Sequence, residues 1–435
     1  MKLLRPLFLS LWLVCAPVVA KPLCVEFELV KSVSKEGQAS PAPPQRVKAV
    51  LTKDYLEIQD GDGRVVHDFL SNQSHLVKGD NYVRRSLYAD IGFRVSELRN
   101  RLYLLQALRQ ADIDAVPGGE VEVEHLFSVD DEQTEANISK TEGAVVSYGY
   151  GGERLAEFSS KGKKLTPEQS KEFVRFLRYY CGGHPDILSD VQVRGVLPER
   201  FRIDVTNVAE VTSYSMRVVS SGDCDPARPD FSGLRPTELP PEPLGTLVAL
   251  ALQLSPEAVP NGQVVLTEKA QQAIQQGRAL ESALLLFEVL LMGGDGPPAL
   301  LSEGREQFEA NADSKALFDG LMTGGEDPAK GAEIFLALEP KVPQQAHILK
   351  IFRAGMMVAT DKRPEAARLY LEALLVNPAI AGVWKDMGDL YHANFEMDMA
   401  WLCWDVGRKL APGHAMLQDV TRLEQALRKD YPGFF

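Results

Sequence analysis

The chain has 435 residues, with 47 lysines and arginines against 60 aspartates and glutamates, and its formal net charge is −13. The 45% hydrophobic content is ordinary for a globular protein, and the length suggests two or three domains. This excess of negative charge argues against nucleic acid and anionic membrane surfaces as partners, because both would repel the protein.

The first 20 residues are predicted to be a signal peptide. Lys2 and Arg5 precede the apolar run Leu7–Val14, and small residues lie before Ala20, where we expect cleavage. The run is too short to span a membrane, so no transmembrane segment is expected after cleavage. The protein is therefore predicted to be periplasmic or secreted, and loss of the two basic residues takes its formal charge from −13 to −15.

Export changes the interpretation of the cysteines, because disulfides persist in oxidising compartments. Four remain after residue 20, and they allow three complete pairings: Cys24, Cys181, Cys224 and Cys403. We favour a bridge between Cys181 and Cys224, with Cys24 unpaired. Cys403 precedes a tryptophan in an apolar helix, which favours a buried thiol.

Residues 21–222 are predicted to form a strand-rich α+β domain with a few helices. Alternating or clustered apolar residues predict these strands: Pro22–Val33, Val47–Leu51, Tyr55–Ile58, Val65–Leu70, Val121–Phe127, Ala144–Tyr150, Phe201–Val208 and Val211–Val219. One helix is predicted over Ile91–Arg109. A second begins at Thr166, where Pro167 and Gln169 complete a capping box, and runs to Tyr180.

Residues 48–69, with the sequence KAVLTKDYLEIQDGDGRVVHDF, resemble the meander strands of half-barrel proteins that carry lipids in the periplasm. The resemblance implies that the N-terminal sheet encloses a lipid or another apolar ligand. It covers only a hairpin pattern and includes no diagnostic motif.

Residues 223–243 are predicted to be an extended linker, because they contain six prolines and few apolar residues. Residues 244–346 are predicted to be helical. The helices expected there are Leu244–Leu254, Thr267–Gly277, Leu280–Met292, Pro298–Ala310, Lys315–Met322 and Pro328–Leu338. Ala332 precedes Ala366 by 34 residues, which suggests a degenerate repeat in this region.

Residues 347–414 contain two units at a fixed offset of 34 residues, which relates Ala366 to Ala400 and Pro378 to Pro412. The second unit has small residues where two helices would approach and large ones beside them. These positions are Trp384, Met387, Gly388, Tyr391, Ala400, Trp404, Gly407 and Pro412. The pattern resembles the tetratricopeptide (TPR) repeat family. Residues 415–435 are predicted to be a capping helix and tail.

The family resemblance implies that a protein or peptide binds the concave face of the hairpins. The first-helix residues placed there are Lys385, Asp386, Asp389 and His392 in the second unit, and Ile351 and Phe352 in the first. Such a mixed groove would suit a segment with apolar anchors and a basic end. The alternative is that these residues form an ordinary exposed helix surface.

No catalytic motif is present: the chain has no GxSxG, HExxH, Walker or dinucleotide-binding pattern, and its seven histidines do not cluster. No metal or cofactor is expected. The predicted fold is therefore α+β multidomain, ending in TPR-like hairpins. The leading hypothesis for function is an exported scaffold or adaptor in the bacterial cell envelope. The alternatives are a periplasmic carrier or sensor with an apolar ligand in the N-terminal domain, and an enzyme with an unrecognised N-terminal site.

Overall fold

The computed structural model describes residues 21–35, 38–113, 119–130, 137–207, 210–236, 240–295 and 304–435. The predicted signal peptide, residues 1–20, lies outside them. Strands predominate up to residue 223, and from residue 244 onward the described residues form helices and no strands, as the sequence predicts. By its internal contacts the chain divides into two compact units. Of the described residues, those up to 61 and between 137 and 229 form the first, and those between 62 and 136 and from 230 onward form the second.

The strands, in chain order, are β1 (Leu23–Lys35), β2 (Gln38–Pro41), β3 (Gln45–Leu51), β4 (Tyr55–Asp60), β5 (Gly63–Asp68), β6 (Gln73–Lys78), β7 (Asn81–Ser86), β8 (Ser139–Thr141), β9 (Val145–Tyr150), β10 (Glu153–Ser159), β11 (Gly162–Lys164), β12 (Val196–Pro198), β13 (Arg200–Asn207), β14 (Glu210–Asp223) and β15 (Arg235–Pro236).

The helices are α1 (Leu87–Gln110), α2 (Gly119–Phe127), α3 (Pro167–Tyr180), α4 (Pro185–Arg194), α5 (Leu244–Gln253), α6 (Ala258–Gln275), α7 (Ala279–Leu291), α8 (Arg305–Ala310), α9 (Ala312–Glu326), α10 (Pro328–Leu338), α11 (Ala346–Ala359), α12 (Arg363–Val376), α13 (Ala381–Ala393), α14 (Met397–Leu410) and α15 (Gln418–Asp430). The predicted helix over Pro298–Ala310 falls partly on residues outside the described ranges.

The first unit is built on an antiparallel sheet in the order β4-β3-β1-β14-β13-β10-β9-β8, with β2 paired to β1. Strand β1 pairs with β14 from Leu23 opposite Asp223 to Ser34 opposite Val211. The alternation predicted for β1 is confirmed, because Val25, Phe27 and the other residues of that set are buried on one face of the sheet.

Helix α3 covers the apolar face of this sheet. Its predicted capping box is confirmed: the Thr166 hydroxyl accepts from the Gln169 backbone N–H, and the Gln169 side chain accepts from the Thr166 backbone N–H. The ring of Phe176 stacks on Phe27 with centroids 5.1 Å apart, and Phe173 meets the edge of Phe201 at 5.8 Å. These aromatic side chains fill the space between the helix and the sheet.

The disulfide of the first unit joins Cys24 to Cys224, with their Cα atoms 5.9 Å apart. The predicted Cys181–Cys224 bridge is wrong. The pairing of β1 with β14 brings the start of one strand beside the end of the other, although 200 residues separate the two cysteines. Cys181 follows α3 as a buried free thiol, and burial raises the pKa of that thiol. Cys403 is also a buried free thiol, as predicted.

The strand predicted over Val121–Phe127 is also wrong, because these residues form α2. Its valines alternate as in a strand, but Glu124 and His125 are buried as well, so burial does not follow the alternation. Helix α2 packs against α1, where an added Cβ at Gly119 would lie 3.2 Å from the Leu105 side chain. Tertiary packing overrides the strand preference of valine here.

Within the second unit, β5, β6, β7 and β15 form a small sheet, and β15 runs parallel to β7. Arg235 and Pro236, inside the segment predicted as a linker, supply this edge strand. Helix α1 packs against α14, with Gly92 beside the Trp401 ring. The Arg428 guanidinium of α15 donates to the Tyr88 hydroxyl at 2.6 Å, which joins the last helix to the start of α1.

Candidate interaction surface

Three helical hairpins recur along the C-terminal part of the chain. The first helices α9, α11 and α13 begin at residues 312, 346 and 381, and the second helices α10, α12 and α14 begin at 328, 363 and 397. Successive starts are thus 34 or 35 residues apart. Ala332, Ala366 and Ala400 occupy corresponding positions in the second helices, and all three are buried. The offset seen in the sequence therefore corresponds to a structural period.

The α13–α14 hairpin is held by contacts between small and large side chains. A Cβ added at Gly388 would lie 2.3 Å from the Trp404 ring, so only glycine allows this approach. Trp404 Nε1 donates to the Asp389 carboxylate at 3.1 Å, and Trp384 Nε1 donates to the Pro378 carbonyl at 2.9 Å. Both indole N–H groups, which are costly to bury unpaired, therefore have acceptors.

The other structural positions of this hairpin have separate roles. Ala400 is fully buried where α14 begins, and Tyr391 is half-buried. Burial raises the pKa of the Tyr391 hydroxyl to about 12. Pro412 follows the end of α14 at Leu410, where a proline cannot continue a helix.

Helix α7 lies across the first helices of all three hairpins, contacting α9, α11 and α13. The Phe287 ring meets Phe352 at 5.2 Å and Phe318 at 6.2 Å. At α13, a Cβ added to Gly382 would lie 3.1 Å from the Leu291 side chain. Helix α7 of this chain therefore covers part of the surface formed by the first helices of the three hairpins, where a partner was predicted to bind.

A polar contact fixes α7 inside this apolar interface. The Glu288 carboxylate is buried, lies 3.2 Å from His347 Nε2 and accepts from the Asn377 side chain at 2.7 Å. Burial of a carboxylate is costly unless such partners are present, so the three residues fix the position of α7 along the hairpins.

Two residues predicted to contact a partner instead pack against other side chains of this protein. Ile351 is only 4% exposed and belongs to the apolar core, which includes α7. Phe352 packs between Phe287 and Phe335, whose ring centroid is 5.5 Å away. A partner could not reach Ile351 in this arrangement. The signal in the sequence was the run Leu284–Leu291, which is apolar except for Glu288 and so predicts a largely buried helix.

The four predicted residues of α13 lie at the surface or just below it. The Lys385 ammonium pairs with the Asp389 carboxylate, and Asp389 is 45% exposed. The His392 ring lies 5.4 Å from Trp404, and its burial lowers the pKa of the imidazole. The structure therefore brings three of the predicted residues together around one tryptophan.

Asp386 occupies a different environment, near the buried Tyr370. Burial, together with the negative charge of Asp389, raises the pKa of the Asp386 carboxyl to about 7; Lys385 and a hydrogen bond with Tyr370 oppose this shift. Its protonation therefore changes near neutral pH.

Among the residues that the structure describes, no group of three or more histidine, cysteine, aspartate or glutamate side chains is placed to hold a metal ion. In the same ranges, no helix is long and apolar enough to cross a bilayer.

No protein-family model matches this sequence, and no characterised protein is significantly similar to it. A function has therefore to be inferred from the residues of this chain and their geometry.

Proposed function

We propose that this protein is an exported scaffold or adaptor that binds another protein through TPR-like helical hairpins in a bacterial cell envelope. The observation that carries the proposal is the recurrence of three hairpins at 34–35 residues, the period of TPR repeats. Stacked hairpins present extended surfaces rather than a closed pocket, and such surfaces suit peptide segments.

The partner would dock on the C-terminal halves of the first helices. These halves lie beyond the residues described above as contacting α7. Gly355 and Val358 of α11 are exposed there, and they precede Asp389 and His392 of α13 by 34 residues each. In a stack of repeats, equivalent positions lie side by side. A segment with an apolar side chain for Val358 and a basic one for Asp389 fits this surface.

The compartment follows from two features of the chain. The first 20 residues have the charge and hydropathy of a signal peptide, and the Cys24–Cys224 disulfide is typical of proteins in oxidising compartments. A periplasmic or secreted location satisfies both. Intact-mass analysis of the protein from its native source would give a mature chain beginning at Lys21.

The alternative of a carrier with an apolar ligand under the N-terminal sheet has less support. The apolar face of that sheet is occupied by Phe173 and Phe176 of α3, which contact Phe27 and Phe201 directly. An enclosed ligand would have to displace these rings.

The test is photo-cross-linking of the full chain in cells of its source organism. A photoreactive phenylalanine analogue replaces Val358 on the proposed surface, or Val376 on the second helix of the same hairpin as the matched control. Val358 is 41% exposed and Val376 is 61% exposed, so exposure alone favours the control.

We expect a single protein to be cross-linked from position 358 and not from position 376, and mass spectrometry would identify it. A lysine replacing Asp389 is a poor test, because it also removes an acceptor of the Trp404 N–H. If neither position gives an adduct, or both give the same adducts, the hairpins are not the docking surface.

A further inference from the structure

The first unit has a second sheet face, opposite the one that α3 covers. On it, Glu28 of β1 lies opposite Arg217 of β14, and Arg217 lies opposite Arg200 of β13. The next row on the same face runs from Val30 through Ser215 to Arg202 and Glu157. Three arginines from two adjacent strands therefore share a small area.

A groove of about 420 Å³ lies over these rows. Its walls include the three arginines and two glutamates, and apolar side chains complete the lining, among them Val30 and Val145. This volume falls within the range of small-molecule sites, roughly 300–1,000 Å³. The groove therefore combines positive charge with apolar surface.

Most of the charge in this area is already paired. The Arg217 guanidinium donates to Glu28 at 2.8 Å, and Arg202 donates to the buried Asp204 at 2.6 Å. Arg154 donates to the same Asp204 carboxylate at 2.7 Å and lies 3.5 Å from Glu157. Asp204 thus accepts from two guanidinium groups at once. Burial raises the pKa of its carboxyl, but hydrogen bonds with Ser213, Arg202 and Arg154 outweigh burial and lower that pKa.

Arg200 is the exception. Within the described part of the chain, no hydrogen bond or ion pair joins its guanidinium to a carboxylate. It lies directly opposite Arg217, and like charges facing each other across two strands are destabilising. An anion beside Arg200 would relieve this repulsion and complete the bidentate pairing that a guanidinium favours.

We propose that this groove binds a small amphiphilic anion, with its carboxylate or phosphate against Arg200 and its apolar chain toward Val30. The formal net charge of −13 opposes anion binding at long range, so the attraction has to come from Arg200 at short range. The site is independent of the hairpins and of their proposed partner.

The experiment is calorimetric titration of the full chain, with its disulfide intact, using decanoate, decyl phosphate and the uncharged decanol. We expect at least one of the two anions to bind and decanol to bind at least tenfold more weakly. Decanoate and decyl phosphate distinguish a carboxylate site from a phosphate site. If neither anion binds, or decanol binds as tightly, the proposal is overturned.

Two variants locate the site. Arg200→Gln should weaken binding of the anion about tenfold, the effect of losing one charge-assisted contact. Lys164→Gln removes the same charge from an exposed strand outside the groove and should change the affinity less than twofold. Val30→Ser should weaken decanoate more than acetate. Equal loss of affinity in the arginine and lysine variants would show non-specific charge attraction and overturn the site.

Discussion

The two units are stabilised by contacts of different range. In the first, β1 pairs with β14 and a disulfide joins cysteines 200 residues apart, so the ends of its sequence hold it together. In the second, α11 packs against α12 and α13 against α14, each with its neighbour in sequence. A substitution can therefore be made in one unit alone. The resulting change in the stability of the other unit measures how strongly the two are coupled.

The largest effect is expected from removing the disulfide. The paired substitutions Cys24→Ala and Cys224→Ala should lower the free energy of unfolding of the first unit by about 2–5 kcal/mol, because a long loop is no longer closed in the unfolded chain. After residue 20 the tryptophans are Trp384, Trp401 and Trp404, all in the second unit. Urea-dependent hydrogen exchange of the β1 and β14 amides, which lie in the first unit, should shift to lower urea by more than tryptophan fluorescence does.

A reductant gives the control for this experiment. Cys181→Ala keeps the disulfide, so the reductant should destabilise it as it does the wild type, while the paired variant should not respond. Equal shifts of β1 and β14 hydrogen exchange and of tryptophan fluorescence would contradict the difference between the units and show that they unfold together.

The second prediction concerns a substitution in the second unit. Gly388→Leu should destabilise the second unit by about 3 kcal/mol, because its side chain must displace the buried Trp404 ring. Tryptophan fluorescence should now report the larger shift. Gly325→Leu is the matched control: Gly325 is exposed near the end of α9, and an added Cβ there would contact nothing within 4 Å. Similar losses in both variants would mean that glycine itself, and not its contact with Trp404, is what matters.

These two regions also show what sequence alone can predict. The cap at Thr166, the alternation of β1 and the 34-residue period are local patterns, and the structure has all three. The partner of Cys24 was missed because it depends on which distant strand lies beside β1. Helix α2 was missed because its valines alternate like those of a strand, and that alternation did not show that Glu124 and His125 are buried as well.

Prediction of the candidate interaction surface was limited in the same way, because a local pattern does not show which distant element packs against it. Positions on α11 and α13 could be assigned from the repeat, since helical periodicity sets which residues share a face. The repeat carries no information about a third element that covers this face, so the packing of Phe287 on Phe352 could not be foreseen from it. Periodicity predicts which side chains converge, and tertiary packing decides which of them remain accessible.

The third prediction concerns pH and is confined to the second unit. The folded protein holds the pKa of Asp386 at about 7, above its value near 3.9 in an unfolded chain. Between these values the folded state binds a proton that the unfolded state lacks, so this contribution to stability is lost as pH rises through 7. Asp386→Asn, which stays neutral, should gain about 1–2 kcal/mol over the wild type at pH 8 and little at pH 4.

The control is Asp361→Asn, in the turn between α11 and α12. That side chain is exposed, and asparagine tolerates its positive φ of 57°. The change in its stability difference between the two pH values should be smaller than that of Asp386→Asn, because the Asp361 side chain is exposed to water. A pH-independent difference for Asp386→Asn would show that its carboxyl is not buried as described.

The smallest predicted effect tests whether the exposed C-terminal half of α11 makes stabilising contacts in the folded protein. Gly355 lies in α11 on the proposed docking surface, and an added Cβ would contact nothing within 4 Å. Gly355→Ala should therefore stabilise the second unit by about 0.5–1 kcal/mol, because alanine loses less backbone entropy in a helix. Thermal unfolding followed by tryptophan fluorescence would measure the gain. A loss of stability would mean that the position is covered in the folded protein, and the docking surface would then have to lie elsewhere.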